Sequence, residues 1–181
     1  MGCWGITAFE SDAGLDSVDY IRRSLPKNGS LELGSIIGAL QRNDVRLPDA
    51  QDAESHTSPM ALAEIVVKFM DHDIGDLDYD GKWAAKDKKF ADITSFSASR
   101  ESVKWLREYL SETLECAKEN AEFQAEQGRK WNGWFEEKDW IGWQEHMAAL
   151  ISRLDGLLAF PDDHIQLIPV QQLENGQTMK L

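Results

Sequence analysis

The chain has 181 residues, 42% of them hydrophobic and 28% charged, enough apolar material for one domain with its own core. Its net charge is −13, from 32 acidic and 19 basic residues. A body this acidic repels phosphate backbones, which argues against direct nucleic-acid binding and favours a partner with a basic surface.

Further exclusions come from the cysteines and from the apolar runs. Cys3 and Cys116 make no disulfide framework. No apolar run is long enough to cross a membrane. The opening MGCWGITAF lacks the basic start and apolar core of a signal peptide, so the expected location is the cytoplasm.

Residues 3–9 read as a short strand or extended arm. Ser11 and Asp12 are N-cap types, and Leu15, Val18, Ile21 and Leu25 then recur at helical spacing until Pro26. Ser30 is the expected cap of a second helix carrying Leu33, Ile36, Ile37 and Leu40. Two prolines and several aspartates make 43–59 a loop. A third helix starts near Pro59 and runs to Asp71, with Leu62, Ile65, Val66 and Phe69 inward. Residues 72–98 predict loop with a short hairpin.

The strongest periodicity lies further on. Val103, Leu106, Leu110, Leu114, Ala117, Ala121 and Ala125 step by three or four, predicting a helix from Ser99 to Gln127 that Gly128 ends. Trp140, Trp143, Met147, Leu150, Leu154 and Leu157 predict a second helix from Lys138 to Leu158, packed antiparallel to the first. Residues 165–170 read as one edge strand, and the tail 175–181 reads as loose. The expected fold is therefore mainly α: an antiparallel helical bundle over 1–174 with an N-terminal arm and a minor two-stranded β piece.

Two motifs invite a metal. Asp76, Asp78, Asp80 and Gly81, with Asp87 in the closing position, match the spacing of a calcium loop, where alternate residues of a tight turn aim carboxylates at one cation. The flanks do not match. Gly75 precedes the first Asp where a helix should end, and no helical stripe follows Lys88. Asp80-Gly81 between Tyr79 and Trp83 fits a turn instead. His72-Asp73-Ile74-Gly75 resembles the metal-ligand core of HD-type phosphohydrolases. Such a site needs another His on a neighbouring helix, and the one upstream candidate, His56, is separated from His72 by a single helix. A metal-dependent hydrolase or a calcium-binding domain using 71–87 is thus the alternative function. No cofactor is expected.

A different pattern carries the favoured reading. Glu108, Glu112, Glu115, Glu119, Glu122 and Glu126 step 4, 3, 4, 3, 4 and fall in one narrow band of the long helix, opposite its Leu/Ala stripe. Like charges at this spacing repel, and Lys118 is the one basic residue among them. The expectation is a non-enzymatic acidic interaction protein, of immunity or antitoxin type, that masks a basic partner. A homo-oligomer built through the long helices is a further option. The Trp131/Trp134 and Trp140/Trp143 pairs, both W-x-G-W, read as core aromatics.

The opening MGCWGITAFESDAGLD is similar to the N-terminal signature of a bacterial family of uncharacterised domains, M-G-x-W-G-x-x-x-F-x-x-D, through Met1, Gly2, Trp4, Gly5, Phe9 and Asp12. The resemblance covers about the first twenty residues and implies no reaction. Physically the motif reads as an anchor: Trp4 and Phe9 buried, Gly5 bending the chain, Asp12 at a helix start.

Overall fold

The computed structural model describes residues 2–43, 47–52, 56–79, 88–129 and 137–168. Helices dominate them: α1 (Asp12–Arg23), α2 (Leu33–Gln41), α3 (Ser58–Met70), α4 (Arg100–Glu126) and α5 (Trp140–Leu158). Three short strands, β1 (Ser30–Glu32), β2 (Ser95–Ser99) and β3 (His164–Gln166), form one sheet in the order β1-β2-β3. The mainly α expectation holds, and the minor β piece has three strands rather than two.

Capping sets the helix starts. The Ser11 hydroxyl accepts from the Gly14 amide, Thr57 from Met60 and Ser99 from Ser102, each satisfying an amide the first turn leaves open. The second helix departs from expectation. Its cap is Glu32, whose carboxylate accepts from the Ser35 amide at 2.8 Å, while Ser30 begins β1 instead. Two helices end in the same way. After α3, the Asp73 amide donates to the Lys68 carbonyl and His72 to Phe69; after α4, Arg129 donates to Gln124 and Gly128 to Ala125. This pair of hydrogen bonds requires a left-handed residue, and His72 and Gly128 take φ of 56° and 65°.

The core centres on α3. Every residue from Ser58 to Val66 is buried, which fits a helix that is apolar nearly all round and enclosed by α1, α4 and α5. Phe69 meets Phe96 of β2 edge-on at 5.1 Å. Along β2, Phe96 and Ala98 point inward beside Leu31 and Ile165, so the sheet closes one side of this core. Helices α4 and α5 run antiparallel: Arg107 pairs with Asp155 at 2.9 Å, and Arg100 donates to the Phe160 carbonyl.

The segment expected to hold a hairpin does not form one within its described part. Strand β2 instead pairs in parallel with β1, with Leu31 opposite Phe96, and antiparallel with β3. Local alternation cannot reveal a partner that lies 65 positions upstream.

Candidate functional site

Helix α4 is 27 residues long, about 40 Å. Its buried residues run from Ser102 to Leu114, just past its middle. Beyond Leu114, Ala117 packs partly on the core, Ala121 is half-buried and Ala125 is exposed. The predicted apolar back is therefore buried through Leu114 and fades beyond it, with Ala117 the last residue of α4 packed against the core.

All six predicted glutamates of α4 are exposed. Glu108 has Lys104 at 3.7 Å, and Glu112 accepts from Gln51 at 3.0 Å. The side chains of Glu115, Glu119, Glu122 and Glu126 make no ion pair or hydrogen bond with another described residue. Their field is felt locally. Burial pushes the Cys116 thiol up, and Glu119, Glu112 and Glu115 push it further the same way. Phe123, 55% exposed, sits three residues before Glu126 and so about 60° round the helix from it. The row thus combines unneutralised carboxylates with an apolar side chain on its flank.

The acidic loop is put to other uses. Both carboxylate oxygens of Asp76 lie 2.9 Å from Lys68 Nζ. Asp78 accepts from the amides of Phe90 and Ala91, each at 3.0 Å, and so starts the short 3-10 helix at Phe90–Asp92. Tyr79 donates to the Leu15 carbonyl, and its ring lies 5.5 Å from the buried Arg22 guanidinium. Asp80 and Asp87 lie outside the described residues. The two described aspartates of the motif are thus a salt-bridge partner and a turn cap, drawn to different parts of the chain.

His72 is exposed at the C-terminal end of α3, whereas His56 is buried just before its N-terminal end. The 13-residue helix separates them by about 20 Å, so they share no site. Among the described residues no three His, Cys, Asp or Glu side chains converge to hold a metal. Asp71 does have a partner, Arg153, which holds its carboxyl below the usual range through a two-pronged contact of 3.0 and 2.5 Å.

One cluster was not legible in the sequence. The buried Glu64 of α3 accepts the Ala8 amide at 2.9 and 3.1 Å, and its Oε1 lies 2.6 Å from His146 Nε2 of α5. Nearby, Cys3 Sγ lies 3.5 Å from His56 Nδ1. Burial raises the thiol pKa and lowers that of His56, with Asp139 and Glu10 raising the thiol further. A protonated thiol beside a neutral imidazole is not an activated nucleophile. These groups fasten the N-terminal arm to the body.

The arm explains most of the opening motif. The Gly2 amide donates to Asp12 at 2.6 Å, and the Trp4 amide to the Glu10 carbonyl at 2.9 Å. Glu10 folds back to accept from Ile6, Thr7 and the Thr7 hydroxyl, each at 3.0 Å, and these bonds lower its pKa. Gly5 makes that fold possible, since a Cβ there would lie 2.2 Å from the Glu10 carboxyl carbon. Phe9 packs against the core beneath Lys68. Trp4 departs from expectation. Its backbone is anchored, but its side chain is 57% exposed, lying across Gly2 beside Asp12.

Trp140 and Trp143 stack at 5.6 Å, with Trp143 buried, while Trp131 and Trp134 lie outside the described residues. Among the described residues no helix is long and apolar enough to cross a membrane. No protein-family model, curated protein or solved structure matches this chain.

Proposed function

We propose that the protein is a non-enzymatic interaction protein that meets a basic protein surface with the glutamate row of α4, in the manner of an immunity or antitoxin protein. The observation that carries this reading is the exposure of all six glutamates, five of them without a described counter-charge. Such a row costs a few tenths of a kcal/mol for each like-charged pair at helical spacing. A partner's lysines and arginines relieve that repulsion on docking, and complementary charge raises the rate of encounter. Exposed Phe123 on the flank adds an apolar contact of the kind interface centres favour.

The test is affinity purification from cells of the source organism at low and high salt, alongside the triple variant Glu115→Lys, Glu119→Lys, Glu122→Lys. One basic protein retained at low salt, released by salt and lost with the triple variant is the expected result. Retention indifferent to the three reversals, or no basic partner at low salt, sinks the reading.

A further inference from the structure

A shallow groove of about 320 Å³ runs between α4 and α5. Each helix lines it with positions i, i+3, i+4 and i+7, counted from Ser111 on α4 and from Ala148 on α5. That spacing is the footprint two neighbouring helices present to a third lying across them. The floor is apolar, with Leu114 and Ile151, and Ala148 leaves the mouth open. One rim is Glu115, which also belongs to the glutamate row. Groove and row are therefore continuous.

We infer that the α4–α5 groove seats an amphipathic helix of the basic partner, with one or more aliphatic side chains on the groove floor and lysines or arginines facing Glu115, Glu119 and Glu122. This inference rests on the proposed interaction role and adds the form of the partner. Charge alone recognises any basic surface. An apolar anchor beside the charges selects a helix whose cationic and aliphatic residues alternate at three and four. Lys118 lies on the rim, repels a cation placed opposite it, and so sets the register.

The experiment uses the full chain and two synthetic helical peptides of about five turns. Both carry a lysine row; one has leucines on the adjacent stripe, the other glutamines. Binding is measured by calorimetry at low salt, with the native protein and with Ala148→Trp and Ser152→Trp, two exposed positions where an indole fills the groove without altering charge. The leucine peptide is expected to bind about tenfold tighter than the glutamine peptide, the effect of burying one aliphatic side chain. Each tryptophan variant, with its melting temperature unchanged, is expected to erase that difference while keeping the charge-driven part. Equal binding of the two peptides to the native protein overturns the groove and leaves the glutamate reading standing. So does a leucine advantage that survives both tryptophans. Failure of both peptides to bind overturns the glutamate reading as well.

Discussion

Glu64 and His146 lie 82 positions apart in the chain and 2.6 Å apart in the fold. The same carboxylate receives the Ala8 amide, so one side chain, 5% exposed, ties the N-terminal arm, α3 and α5 together. Glu64→Ala leaves a buried amide without its acceptor and His146 without its hydrogen-bond partner. The expected loss is about 3 kcal/mol. In a chain of this size that is a fall of roughly 6–12 °C in melting temperature, read by calorimetry. A fall under about 2 °C would show that the arm is held elsewhere.

Gly14 and Gly75 should respond in opposite ways to alanine. A Cβ on Gly14 would lie 1.7 Å from the Ala8 carbonyl oxygen, a backbone atom that α1 presses against. Gly75 has nothing within 4 Å of that position. Gly14→Ala is expected to cost more than about 2 kcal/mol, and Gly75→Ala to be neutral or stabilising by up to about 1 kcal/mol. Urea unfolding of both variants checks the contrast.

Acidification should weaken the fold first through His56. Burial lowers its pKa below the ordinary imidazole value, about 6.5. In the window just below that value the unfolded chain binds a proton that the folded chain refuses. Stability is therefore complete above it and falls as pH drops. His56→Gln should flatten the slope of stability against pH between about 6.5 and 5. Glu10 and Asp71, both with lowered carboxyl pKa values, act in a separate and more acidic range. An unchanged slope in the variant means that His56 titrates normally.

Calcium should leave the melting temperature unchanged, because Asp76 is neutralised by Lys68 and Asp78 is spent on two amides. Asp78→Ala should nevertheless cost about 1 kcal/mol, the ordinary worth of a helix-start cap. A calcium-dependent rise in melting temperature that disappears in Asp78→Ala would reinstate the loop as a cation site.

Glu119→Lys separates stability from binding. A lysine there faces Glu115 at i−4 and Glu122 at i+3, replacing two repulsions by two attractions. The expected gain is roughly 0.5–1 kcal/mol, read from thermal melts at low salt. The same change should weaken the lysine–leucine peptide. A variant both more stable and equally able to bind would leave the glutamate row without a role.

Local pattern made the helices legible. Stripes of Leu, Val and Trp at three and four located α1, α3, α4 and α5 to within a few residues, and Ser11, Ser99 and Gly128 marked ends. The edge strand read over 165–170 overlaps β3, but the pairing of the sheet was hidden, because β1 and β3 have three residues each and all the partners are distant in the chain. The Glu64–His146 contact was hidden for the same reason, since helical spacing says which face a residue occupies and not what it meets. Trp4 was misread because a backbone anchor and a side-chain anchor look alike in a motif. The glutamate row was legible because all six members sit on a single helix.

Strand β2 has a consequence for the order of folding. It takes β1 from 65 positions upstream and β3 from a similar distance downstream, and Ser97 pairs with both. Loop closures of this span carry a large entropic toll and slow the search for the native topology. A nascent chain that ends before His164 has β2 open along one edge, exposed to pairing with other chains. Closure of the three-stranded sheet therefore waits for β3.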